Sequence, residues 1–148
     1  MTMNRRTLLA GLPLLVFAGR AEAQAVPAIH VVLSPTCGCC RDWLAHLRQA
    51  GFRVTFSYVT EATEAARQRA VPDDLRSCHT GTVGGYVIEG HVPAADIRRL
   101  LRARPAAAGL AVPGMPMGSP GMEQGGRRQP YQTILFTRAG RRTVFAQH

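Results

Sequence analysis

Ile29–Leu33 is a β-rich apolar run that ends at Ser34-Pro35-Thr36 and reads as a strand. Beyond it, Trp43, Leu44, Leu47 and Ala50 fall at helical spacing within Arg41–Ala50, and Gly51 stops the helix. Phe52–Val59 then alternates, with Phe52, Val54, Phe56 and Tyr58 on one face, which predicts a second strand. The alanine-rich segment Glu61–Ala70 predicts a helix that closes before Val71-Pro72. Thr82-Val83 and Tyr86-Val87-Ile88, separated by Gly84-Gly85, predict a bent strand or a tight hairpin. Pro93 opens a helix that runs to Arg104, with Ile97, Leu100 and Leu101 inward and Arg98, Arg99 and Arg102 outward. Tyr131–Thr137 and Arg142–Ala146, joined through Ala139-Gly140, read as a C-terminal β-hairpin. The alternation of strands and helices predicts one small α/β domain, with a thioredoxin-like arrangement as the expected architecture.

The segment from Leu110 to Pro130 breaks this pattern. It holds five glycines and four prolines without apolar periodicity, and is expected to be one long loop. Met115, Met117 and Met122 all lie in it, and the other two methionines, Met1 and Met3, are near the N-terminus. Methionine ordinarily fills gaps in a core. Three in a Gly/Pro-rich loop, none in a periodic segment, fit that role poorly and suggest soft thioether donors laid over a neighbouring site.

Arg5-Arg6, the apolar stretch Leu8–Ala18 and Ala21-Glu22-Ala23 have the order of a cleaved export signal. The apolar stretch is short of the roughly 20 residues that span a bilayer. Residues 1–23 are therefore expected to be removed, leaving a domain over residues 24–148 with no membrane span and a periplasmic destination; the paired arginines fit either a twin-arginine or a general secretory route. The formal charge of +9, all of its cationic part arginine, falls to +7 once three arginines and one glutamate go with the signal. These arginines are scattered through helices and turns without interleaved aromatics, so the charge describes a solvated surface and offers no support for nucleic-acid binding.

The candidate chemistry lies in cysteine. Cys37, Cys39 and Cys40 crowd one tetrapeptide at a strand-to-helix turn, and Cys78 stands beside His79. In an oxidising compartment four cysteines ordinarily make two disulfides. Here Cys37–Cys39 is too tight, an adjacent Cys39–Cys40 bridge departs from ordinary geometry, and a single structural bridge from Cys37 or Cys40 to Cys78 would leave two thiols unexplained. A helix N-terminus favours thiolate, the reactive form both in disulfide exchange and in metal binding. Crowded thiolates repel one another unless cations sit between them. Thiolate with thioether selects Cu(I), and zinc is the metal rival, although C-x-C-C chelates a tetrahedral ion poorly. The redox alternative is a thiol-disulfide oxidoreductase with Cys37 as nucleophile and Cys40 as resolving thiol, in which Cys39 and the methionines have no evident task. His79 is a candidate ligand or proton acceptor. His91 reads as the residue leading into a helix, His46 as structural, and His30 and His148 carry no site claim.

Pro35-Thr36-Cys37-Gly38-Cys39-Cys40 with Trp43 and His46-Leu47 resembles the opening motif of the DUF411 family, which includes CopG-type periplasmic copper-resistance proteins. So do Leu75-Arg76-Ser77-Cys78-His79-Thr80, Glu89-Gly90-His91-Val92-Pro93, Val112-Pro113-Gly114-Met115-Pro116 and Gly118-Ser119-Pro120-Gly121-Met122-Glu123. The resemblance implies a thioredoxin-like fold, copper held by Cys37, Cys39, Cys40 and Cys78, and a part in copper tolerance. Met115, Met117, Met122 and His79 are the expected additional donors. Copper, as Cu(I), is the expected ligand, other periplasmic copper-handling proteins are the expected partners, and Cu(I)/Cu(II) redox chemistry is an open companion role.

Overall fold

The computed structural model describes residues 27–148; the expected export signal over residues 1–23 lies outside the described residues. Seven strands form one sheet: β1 (Ile29–Leu33), β2 (Val54–Tyr58), β3 (His79–Val83), β4 (Tyr86–Gly90), β5 (Gly109–Val112), β6 (Gln132–Phe136) and β7 (Arg142–Gln147). Their spatial order is β2-β1-β3-β4-β5-β6-β7. β1 runs parallel to β2 and β4 parallel to β5, while the other neighbouring pairs are antiparallel. Three helices, α1 (Gly38–Gln49), α2 (Ala62–Gln68) and α3 (Ala94–Ala103), complete a mixed α/β domain. Among the described residues no helix is long and apolar enough to cross a membrane.

The alternation of side chains along the strands divides the core into two layers. Ile29, Val31 and Leu33 of β1, Ile88 of β4 and Leu110 and Val112 of β5 pack with Trp43, Leu44 and Leu47 of α1 and Ile97 and Leu100 of α3. A second cluster on other residues gathers Ala66 of α2, Val71, Leu75, Ala111 and Phe136. The α1 and α3 stripes are those the sequence spacing predicts, except that Ala50, the C-cap of α1, and Leu101 are only half-buried. β2 is an edge strand, so Phe56 and Tyr58 remain exposed beyond the buried Phe52. Thr82-Val83 and Tyr86-Val87-Ile88 form the tight-hairpin alternative, antiparallel with Val83 opposite Tyr86.

The expectation of a structureless segment from Leu110 to Pro130 is corrected at its start. β5 is buried at all four positions, and such a short strand shows neither alternation nor helical period. Gly109 makes the pairing with β4 possible: a Cβ there would lie 1.9 Å from the Val87 carbonyl oxygen. The C-terminal hairpin is present as β6 and β7. It is tied to α3 through Asp96, whose Oδ2 accepts from Thr133 Oγ1 at 2.7 Å and lies 2.9 Å from His148 Nε2.

Candidate metal centre

The chain brings its cysteines together at one end of the sheet, where β1 ends, β3 begins and β4 ends. Cys37 is the N-cap of α1, its sulfur accepting the Cys40 N–H at 3.3 Å. This capping satisfies one of the donors a helix start leaves unpaired. It also holds the tetrapeptide as the first turn of the helix. Cys37 and Cys40 are joined in a disulfide, and Cys39 and Cys78 are free thiols. The bridge therefore falls within the C-x-x-C pair, and neither of its cysteines reaches out to pair with Cys78. Cys39 Sγ stands 3.5 Å from Cys37 Sγ. The four Sγ atoms all lie within 4.8 Å of one another, close enough to share a metal ion once the Cys37–Cys40 bridge is reduced.

His79 and His91 stand against these sulfurs, and backbone carbonyls fix the tautomer of each. His79 Nε2 is 3.0 Å from the Gly90 carbonyl, and His91 Nδ1 is 2.8 Å from the Pro120 carbonyl. A carbonyl only accepts, so each of these nitrogens carries the proton and the other nitrogen is bare. The bare His79 Nδ1 lies 3.3 Å from Cys40 Sγ and 3.4 Å from Cys78 Sγ; the bare His91 Nε2 lies 3.3 Å from Cys78 Sγ. Imidazoles that ligate metals are held in this way, with the second ring nitrogen donating to a carbonyl. Cys78, His79 and His91 form a second group with metal-ligand spacing. Burial, followed by the neighbouring His91, lowers the His79 pKa to about 3. Burial also lowers that of His91. Both rings are thus neutral near pH 7. Burial, followed by the charge of Cys39, pushes the Cys78 thiol up to about 12, so without a cation it keeps its proton.

Two further residues frame the site. Trp43 is fully buried, donates Nε1–H to the Val92 carbonyl at 2.9 Å and holds its ring tilted against that of His79, 4.4 Å between centroids. Glu89 is also fully buried, directly opposite Thr80 in the β3–β4 register. Its carboxylate accepts the Ser77 N–H at 2.6 Å and the Thr80 hydroxyl at 2.7 Å, clamping the backbone on both sides of Cys78-His79. Burial raises its pKa to about 7, against the pull of those two hydrogen bonds and of Arg76 and Arg69.

The methionine loop reaches this end of the molecule. Pro120 supplies the acceptor for His91, and Gly121, at φ +84°, packs so closely that a Cβ would lie 2.7 Å from Trp43 N and 2.8 Å from Cys39 O. Met122 follows directly and is half-buried, Met117 is half-buried, and Met115 is 41 % exposed at φ +46°. The structure thus gathers Cys37, Cys39, Cys40, Cys78 and His79, brings the loop backbone against them, and leaves Met115 exposed. His91 belongs to the cluster although its sequence position suggested only the approach to a helix. His46 is structural as expected, accepting the Ala94 N–H at 3.1 Å.

These features define a thiol- and imidazole-rich centre on an α/β scaffold. A family profile described as "Protein of unknown function, DUF411" matches residues 75–122, the span that carries Cys78, His79, Glu89, His91 and the three loop methionines. Two solved chains, named copper resistance protein CopG in forms 1 and 2, are each 46 % identical and cover 83 % of this chain and 98 % of their own, with TM-scores of 0.78 and 0.79. No curated protein matches the chain. The chain belongs to the DUF411 family of CopG-type proteins.

Proposed function

We propose that this chain is an exported copper-binding protein that holds Cu(I) in a polythiolate site and contributes to copper tolerance. The single observation that carries the reading is the convergence of four cysteine sulfurs within 4.8 Å of one another. Cys37, Cys39, Cys40 and Cys78 are the ligands, with His79 and His91 as flanking nitrogen donors. Met122, Met117 and Met115 are soft donors on the covering loop. Thiolate and thioether favour Cu(I) over harder ions. The name of the solved relatives, copper resistance protein, supports copper over zinc. The parallel β1–α1–β2 unit with cysteines at the start of α1 supports a thioredoxin-like classification of the fold. The N-terminal signal supports delivery to the periplasm, where other copper-handling proteins are the expected partners.

The bridge between Cys37 and Cys40 favours a second reading, thiol-disulfide exchange or a thiol-coupled Cu(I)/Cu(II) step at the same place. Anaerobic titration of the reduced chain with Cu(I) against a competing chelator, repeated with zinc, separates the two. Tight Cu(I) uptake that is lost when Cys39 and Cys78 are both replaced by serine is the expected result. Uptake surviving that double replacement refutes the ligand set, and zinc displacing Cu(I) refutes the metal.

A further inference from the structure

The sheet ends on two unlike edges. At one end, the pairing of β7 with β6 skips Phe145, a bulge that bends the strand, and Arg99 donates Nη1–H to the Phe145 carbonyl at 3.0 Å. Arg142, the first residue of β7, is ion-paired with Asp74 at 2.6 Å. Bulges and charges of this kind keep an edge from pairing with another chain. At the other end, β2 has neither. Val54–Tyr58 holds no charge and no proline, and its register with β1 is unbroken.

The outer backbone of β2 is open. The Arg53 carbonyl accepts the Ile29 N–H at 2.9 Å, and Val59 N–H donates to the Leu33 carbonyl at 3.0 Å, so odd-numbered residues turn their backbone groups toward β1. Alternation along the unbroken strand then turns the N–H and C=O of Val54, Phe56 and Tyr58 outward. Phe56 and Tyr58 also expose their rings, at 42 % and 52 %. Such an edge is a template for another strand.

The side chains say which strand fits. About Phe56 the sequence is nearly palindromic, with the hydroxyls of Thr55 and Ser57 one step away and the apolar Val54 and Tyr58 two steps away. Arg53 precedes β2 and Glu61 follows it. Both are exposed, and among the described residues neither takes part in an ion pair. A two-fold axis at Phe56 sets Val54 against Tyr58 and Thr55 against Ser57, apolar and hydroxyl pairs that stabilise antiparallel strands. It also brings the Arg53 end of each strand to the Glu61 end of the other, so opposite charges meet at both ends of the contact.

We propose that β2 is a self-association edge, through which two copies of this chain pair antiparallel about a two-fold axis at Phe56 into one continuous sheet. The same patch serves both copies, so the contact closes at two. β1 is parallel to β2, which places the two cysteine turns at opposite ends of the paired strands and keeps the metal centres apart. One short strand a side falls well below the roughly 20–30 residues a side of a standard stable interface. Arg48, with its guanidinium 6.0 Å from the Phe56 ring centroid, adds a like charge from each copy. The association is therefore weak, half complete at a concentration on the order of 100 μM.

Sedimentation equilibrium of the chain from about 10 μM to about 1 mM tests the pairing. Reductant and chelator are present throughout, to exclude copies bridged by Cys39, Cys78 or metal. The mean mass is expected to rise from one copy toward two. Phe56→Pro removes an N–H that faces away from β1, a position where an edge strand tolerates proline. It should hold the chain monomeric, with thermal melting verifying the fold. Arg53→Glu or Glu61→Arg alone should weaken the pairing by about fivefold, and the double reversal should restore it. A chain that stays monomeric to about 1 mM overturns the proposal, whatever other strand the edge serves. Dimers indifferent to Phe56→Pro overturn it as well, because the contact then lies elsewhere. Single reversals without effect, or without rescue in the double variant, overturn the two-fold register.

Discussion

Replacing Glu89 by glutamine should remove a large pH dependence from the stability of this protein. The carboxylate is fully buried between the Ser77 N–H and the Thr80 hydroxyl, and burial raises its pKa from an ordinary 4.5 to about 7. At about 1.36 kcal/mol per pH unit, that displacement corresponds to stability on the order of 3 kcal/mol. The sign follows from the protons. Between the two values the folded chain holds a proton that the unfolded chain has released. The stabilisation is therefore complete below the unfolded value and is lost as pH rises through 7. Glu89→Gln is nearly isosteric. Its carbonyl can accept the Ser77 N–H while its amide donates to the Thr80 hydroxyl, which accepts as readily as it donates. The assay is urea unfolding of the reduced, metal-free chain and the variant from about pH 5 to pH 8.5. Groups common to both cancel in the difference. Wild-type stability relative to the variant is expected to fall by on the order of 3 kcal/mol across that window. A flat difference, or one that grows with pH because Arg69 and Arg76 outweigh burial, would refute the reasoning.

Gly121→Ala places a Cβ 2.7 Å from Trp43 N in a left-handed backbone conformation, which alone costs about 1–2 kcal/mol. It should lower the melting temperature and, by loosening the Pro120 carbonyl that orients His91, weaken copper binding by about tenfold; unchanged melting and affinity would contradict the seating of this loop. Because the Cys78 thiol is pushed up to about 12, copper must displace its proton. Loading at constant pH should therefore release acid, and affinity should fall by about tenfold per thiol for each pH unit of acidification. Copper uptake without acid release would contradict the thiolate assignment.

What was legible in the sequence follows from how local each signal is. The α1 and α3 stripes, the β1 run and the C-terminal hairpin are periodic over their own residues, so they emerge from spacing alone. β5 was hidden because four residues buried between two strands leave no polar positions to set a period. The sulfurs were legible because few roles need three cysteines in a tetrapeptide, and His79 because it adjoins Cys78. His91 was not, since its ligand geometry depends on the end of β4 meeting a carbonyl 29 residues away. Glu89 was missed for a related reason. A lone acid in a strand suggests solvent, and only the β3–β4 register places it opposite Thr80. The loop does reach the cysteine turn, a placement its composition left open. It does so through Pro120 and Gly121, while Met115 is exposed.

In the reduced, loaded chain copper is expected to sit among the sulfurs of Cys37, Cys39, Cys40 and Cys78. X-ray absorption on the reduced chain loaded anaerobically with Cu(I) reads that placement from the copper itself. The expected spectrum is dominated by sulfur scatterers at about 2.3 Å, with copper–copper scattering from ions bridged by shared thiolates. A coordination sphere of nitrogen and oxygen without sulfur would contradict the account.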